Sequence, residues 1–236
     1  FGDHFINGLI GYTAQYDNIA VKQVLADNFP DDLVSTISGG QVFAGNAIEE
    51  EWSLASAIFR LNYAFKDKYL FTGTIRSDRS SRFGSDNQTG YFPSLSAGWR
   101  LNKESFLESI EAISELKLRA SWGLTGNFEI PNYGAIGLLA PNNYNFSGNQ
   151  VNGLQQSTIS NPDLTWEQSE QTNIGLELGL FKNRLFLLAD YYTTRTSDLL
   201  LNASISSVTG FQTTLLNLGE VENRGFEIAL NSKNLV

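Results

Sequence analysis

The chain has 236 residues, a formal net charge of −9, 42% hydrophobic residues, and neither Cys nor Met. That length can bury a sizeable core in one or two domains, but the acidity argues against a nucleic-acid surface, which needs clustered Lys and Arg to displace counterions. No apolar run reaches the roughly 20 residues of a membrane-spanning helix. Without Cys there is no disulfide framework, thiolate metal site or Cys nucleophile. The missing Met is read as a chain that has lost its start or is an interior piece, and the lack of a signal peptide at Phe1-Gly2-Asp3 says nothing about export.

In chain order, the signal is an alternation of period two, which sends successive side chains to opposite faces of a strand. The first strand is expected over 4–16, with Ile6, Gly8, Ile10, Tyr12, Ala14 and Tyr16 on one face and Asn7, Gly11, Thr13 and Gln15 on the other. Phe5 and Leu9 break the pattern. A long connection over 17–51 follows, where Phe29-Pro30-Asp31-Asp32-Leu33 is expected to cap a short helix. Strand two is expected over 53–65, strand three over 69–78 and strand four over 94–101. Residues 102–113 read as a short helix-like connection. The cleanest alternation is strand five, 115–125, where Leu116, Leu118, Ala120, Trp122 and Leu124 oppose Lys117, Arg119, Ser121 and Gly123. A connection rich in Asn, Gly and Pro over 127–165 leads to strand six at 171–181. Strand seven runs over 185–196, and strand eight places Phe226, Ile228 and Leu230 against Gly225, Glu227 and Ala229.

Eight such strands fit either a β-sandwich or a membrane barrel. Connections alternate between long (17–51, 79–93, 126–165, 198–219) and short (66–68, 102–113, 182–184), the asymmetry of barrels with short periplasmic turns and long outer loops. Tyr16, Tyr63, Phe65, Tyr69, Trp99, Phe181 and Tyr191 sit near strand ends, as in interfacial girdles, although cross-strand aromatic pairs would look the same. Trp166 reads as an anchor at the outer interface. The polar faces carry Arg60, Arg76, Asp78, Lys117, Arg119 and Glu177. Arg76, Asp78, Arg79 and Arg82 read as a lumen charge network, because lumen charges pair. Asn142, Asn143, Tyr144 and Phe146 combine rings and amides suited to an oligosaccharide or peptide ligand, or to packing the loop or a partner protein.

Enzyme chemistry finds little purchase. The single His, His4, sits on an apolar face with no recognisable Ser or Asp partner, so a triad is not expected. Glu49-Glu50-Glu51 and Asp31-Asp32 could in principle flank a glycosidic bond, yet adjacent loop acids usually mean a solvated surface or a divalent-cation site. There is no phosphate-binding, dinucleotide or metal-ligand spacing. No cofactor, no metal site and no catalytic residue are expected.

Several segments together carry a resemblance. Arg76-Ser77-Asp78-Arg79-Ser80-Ser81-Arg82-Phe83-Gly84, Tyr91-Phe92-Pro93-Ser94-Leu95-Ser96-Ala97-Gly98-Trp99-Arg100, Leu116-Lys117-Leu118-Arg119-Ala120-Ser121-Trp122-Gly123-Leu124-Thr125-Gly126-Asn127, Asn161-Pro162-Asp163-Leu164-Thr165-Trp166-Glu167 and Asn217-Leu218-Gly219-Glu220-Val221-Glu222-Asn223-Arg224-Gly225-Phe226-Glu227 occur in that order. From about Trp52 to Leu230 the chain resembles the barrel of the SusC/RagA family of TonB-linked outer-membrane proteins. The resemblance implies an all-β, antiparallel transmembrane β-barrel, with these roughly eight strands belonging to one of 22. It further implies active import of oligosaccharides or peptides across a Gram-negative, Bacteroidetes-like outer membrane. The implied partners are a SusD-like lipoprotein lid, the TonB-ExbB-ExbD complex and outer-membrane lipid. Residues 1–236 would then be a partial barrel domain without the family's plug and terminal strands, stopping at Leu235-Val236. A passive porin or a secreted adhesive β-protein is the alternative.

Overall fold

The computed structural model describes residues 2–34 and 36–234; Phe1, Ser35 and the terminal Leu235-Val236 lie outside the described residues. Eight strands pair in a single antiparallel sheet: β1 (His4–Asp27), β2 (Gln41–Phe65), β3 (Tyr69–Ser80), β4 (Thr89–Arg100), β5 (Ile113–Asn127), β10 (Glu167–Leu180), β11 (Leu185–Ser197) and β14 (Glu220–Ser232), in that order across the sheet. Small two-stranded sheets fill the connections: β6 (Leu139–Pro141) with β9 (Leu154–Gln156), β7 (Tyr144–Phe146) with β8 (Asn149–Val151), and β12 (Leu200–Ser204) with β13 (Thr213–Asn217).

Register turns the alternation of single strands into continuous rows. Ile6, Tyr63, Phe71, Ala97, Ala120, Ile174, Tyr191 and Phe226 pair in succession across all eight strands. One residue along each strand, Asn7, Asn62, Thr72, Ser96, Ser121, Asn173, Tyr192 and Gly225 form the matching polar row. The apolar side is not covered: Ile10 is 85% exposed, Phe226 79% and Ile228 75%. Leu118, Ile174 and Phe226 are exposed rather than clasped against a second sheet, and no helix among the described residues is long and apolar enough to cross a membrane. Exposing large side chains in such rows to water would forfeit about 25 cal/mol per Å², so hydrocarbon is the solvent that suits this face.

Near the short-turn edge the apolar face carries a ladder of rings. His4 and Phe65 lie 4.7 Å apart, Phe65 and Tyr69 6.3 Å, and Tyr69 and Trp99 6.2 Å, centre to centre. The His4 Nδ1 is 2.8 Å from the Tyr63 hydroxyl. The aromatics near these strand ends are therefore both cross-strand partners and a belt, because adjacent strands in register stack like residues at like heights.

The expected boundary of the first hairpin was too early. β1 continues to Asp27 and β2 begins at Gln41, so only 28–40 connects them and most of 17–51 is a two-stranded ribbon. Its greasy parity flips. Along 4–16 the even residues are apolar, but beyond Asp17 the apolar residues are Ile19, Val21 and Leu25, on the other face. Continuing the first parity gives Asn18, Ala20 and Lys22, which ends a lipid-facing pattern without ending the strand. The expected helix at Phe29–Leu33 is instead a turn in which Asp31 Oδ1 accepts from the Leu33 backbone N–H at 2.8 Å, and a short 3-10 turn follows at Ile37–Gly39.

The alternation of connection length has an exception. The β4–β5 connection spans 101–112, whereas the β3–β4 connection spans only 81–88. The former contains a 3-10 turn at Leu101–Lys103 and further tight turns rather than a helix. Glu104 shapes it by drawing the segment onto the sheet, accepting from Lys68 Nζ at 3.2 Å, Tyr69 Oη at 2.8 Å and Trp99 Nε1 at 3.0 Å.

Candidate functional site

The polar face gathers most of the charges expected on it, and they pair across strands. Lys117 Nζ lies 3.1 Å from Glu177 Oε1, and Arg119 bridges Glu177 (3.4 Å) and Asp190 (2.6 Å). Arg119 can reach Asp190 because the residue between them is Gly175. A Cβ there would stand 2.3 Å from Asp190 Oδ1 and 2.7 Å from Arg119 Nε. Gly175 was not singled out by sequence; the cue is a Gly midway between a cation and an anion on paired strands, readable only once the register is known.

The four-residue cluster expected near the end of β3 divides. Arg76 Nε donates to Asp78 Oδ1 at 2.7 Å, and Arg76 Nη2 to Ser56 Oγ at 3.4 Å. Arg79, one residue on, is sent to the opposite face and donates to Gln88 Oε1 at 3.1 Å. Arg82 lies past the strand, 4.5 Å over the Trp52 ring and 5.5 Å over the Phe128 ring, and donates to Asn132 Oδ1 at 3.0 Å. Such a stacked guanidinium contributes about 0.5–2 kcal/mol.

Arg82 belongs to a second assembly at the long-loop end. Trp166 is only 2% exposed and Leu164 0%, packed with Phe83, Phe92, Ile130 and Ala135. The Trp166 indole N–H donates to the Gln88 carbonyl at 3.2 Å. Trp166 is thus the centre of a small core, not an interfacial anchor: it has rings on three sides, from Phe83, Phe92 and Phe128, which leaves no edge for a lipid interface. Gly90 and Gly126 leave room for the Phe92 ring, since a Cβ would come within 2.5 Å and 2.1 Å of it. Glu50 Oε2 accepts from Asn132 Nδ2 at 2.9 Å, and the Glu51 backbone N–H donates to the Tyr133 hydroxyl at 3.1 Å, tying the ribbon to the same core. The acidic run is split by the strand: Glu51 accepts from Tyr16 and Glu49 from Asn18, while Glu50 turns to Asn132 on the other face.

Asn142, Asn143, Tyr144 and Phe146 lie in or beside the β7–β8 hairpin within the 128–166 connection, with Tyr144 and Phe146 exposed. Asn142 is committed to the loop, its side chain donating to Gln155 and its backbone N–H to the Gly153 carbonyl. At the short-turn end, Asp67 faces Arg100 and Lys103. Lys103 above all, with Arg100, holds the Asp67 carboxyl below its usual range. Donation from Trp99, then Tyr69 and Lys68, does the same for Glu104.

An antiparallel sheet with one exposed apolar face, one charge-paired polar face, tight turns at one end and packed loops at the other is a section of transmembrane β-barrel wall. Residues 2–234 match the family model described as "TonB dependent receptor-like, beta-barrel". The chain belongs to the TonB-dependent receptor family, on the SusC/RagA side of it. It is 44% identical over 184 residues to TonB-dependent receptor P26 of Formosa agariphila, covering 78% of this chain and 19% of that protein. It is 38% identical over 190 residues to TonB-dependent receptor SusC of Bacteroides thetaiotaomicron, again 78% and 19%. The structure titled "Structure of the RagAB peptide transporter" superposes with a TM-score of 0.90 at 31% identity, over 98% of this chain and 26% of that one. The chain therefore spans about a fifth to a quarter of the length of these relatives, an open section of a larger barrel.

Proposed function

We propose that this chain forms part of the barrel wall of an outer-membrane importer, which takes up oligosaccharides or peptides with energy relayed from TonB, beneath a SusD-like surface lipoprotein. One observation carries the reading: a polar row and an apolar row run back to back through all eight strands. Such a wall satisfies its backbone within the sheet while facing hydrocarbon on one side and water on the other. Similarity to SusC and to the RagAB transporter supports the importer class. The strands supply the wet path, and contact with the TonB-ExbB-ExbD complex is assigned to the plug that the family resemblance implies. Tyr144 and Phe146 are proposed to stack on the ligand, with Asn143 bonding its hydroxyls or backbone; Asn142 shapes that hairpin through Gln155.

The test is uptake by cells carrying the full-length receptor, with labelled oligosaccharides and labelled peptides, with and without TonB. Uptake that requires both receptor and TonB is expected. Uptake that persists without TonB would make the protein a passive pore.

A further inference from the structure

On the polar face of β2–β5, halfway up the strands, lies an open depression of about 520 Å³ lined in part by Arg60, Arg76, Asp78, Thr72, Thr74 and Ser94. Arg60 is exposed, and its bond to protein is donation from Nε to Thr74 Oγ1 at 3.1 Å. No carboxylate among the described residues lies within ion-pair distance of it, whereas Arg76, Lys117 and Arg119 on the same face each have one. Arg60 pairs in register with Thr74, two residues before Arg76, so the two guanidiniums are diagonal neighbours about 7–8 Å apart at the backbone. Two Arg against one Asp leave the depression net positive in a chain whose net charge is −9. Asp78 and Ser56 fix the plane of Arg76 through Nε and Nη2 and leave its remaining edge open.

Like charges side by side on a sheet face repel, and an oxyanion placed between them would relieve that repulsion while filling the donor forks. The surrounding Thr and Ser hydroxyls can complete its hydrogen bonds. We propose that this depression is a seat for a carboxylate of the imported molecule. The inference rests on the importer reading for the source of the carboxylate, but its chemistry stands on Arg60 and Arg76.

The experiment uses the full-length receptor in detergent, with citrate as the carboxylate probe. Phenylglyoxal modification of individual arginines is followed by mass spectrometry. Citrate is expected to slow modification of Arg60 and Arg76 roughly tenfold, the effect of one charge-assisted hydrogen bond, and to leave Arg79 on the opposite face unchanged. In the Arg60→Gln variant, protection of Arg76 should weaken several-fold. Equal rates with and without citrate would overturn the proposal. So would an Arg60 already unreactive without citrate, which would mean that another part of the receptor occupies the seat. Citrate protection in a receptor whose uptake ignores TonB would sink the importer reading and leave the seat standing; TonB-dependent uptake without protection would do the reverse.

Discussion

Adjacent residues of one strand should respond oppositely to the same substitution. Ile174 belongs to the apolar row and Asn173 to the polar row of β10. From Ile174 to the strand end at Leu180 the chain climbs about 20 Å at roughly 3.3 Å per residue, or about 15 Å along the normal for a tilt near 40°. That height is close to the middle of an apolar band about 25 Å tall, where an Arg on the lipid face costs about 2–4 kcal/mol. Ile174→Arg in the full-length receptor should lose that much stability. Asn173→Arg, which projects into water beside Asp190, should change stability by less than about 1 kcal/mol. The assay is equilibrium unfolding from lipid vesicles, read by loss of heat-modifiable gel mobility and by tryptophan fluorescence. Equal costs, or the larger cost at Asn173, would refute the assignment of faces and with it the membrane reading.

Three further outcomes follow from particular contacts. Trp166→Ala should cost about 3–5 kcal/mol locally by emptying the small loop core, seen as faster hydrogen exchange in 81–92 and 128–135 while β10 and β11 stay protected; unchanged exchange there would dissolve the core's structural role. Gly175→Ala should cost about 1–3 kcal/mol by forcing Arg119 off Asp190, whereas Gly73→Ala, whose nearest neighbour would be Leu95 at an ordinary 3.5 Å, should be close to neutral. The depressed carboxyls of Asp67 and Glu104 stabilise the short-turn end above their unfolded pKa values near 4, and that contribution disappears as pH falls through their lower folded values. The Asp67→Asn, Glu104→Gln double variant should therefore show a flatter fall in unfolding midpoint on acidification than the wild type, and parallel curves would remove these groups from the acid response.

The faces of β3, β4, β5, β10, β11 and β14 were legible because a lipid wall imposes one rule on every strand, and each obeys it residue by residue. The ribbon of β1 and β2 was truncated because its apolar residues change parity at Asp17, so a search for one greasy face stops where the strand does not. Arg79 could have been separated from Arg76 and Asp78 by parity alone. Trp166 and Arg82 could not be placed, since their neighbours Phe83, Phe92, Phe128 and Trp52 come from distant segments brought together by loops without periodicity. The Asp67 cluster likewise unites residues separated by more than thirty positions along the chain.

The sequence by itself determined that this chain is a set of amphipathic antiparallel strands with water on one side, since side-chain alternation is a local property that needs no neighbour to be read. Only the tertiary structure decided which charges meet, which aromatic is buried, and that Arg60 lacks the carboxylate its neighbours have. Those facts depend on strand register and loop packing, and a shift of one residue in register would exchange every one of them for its opposite.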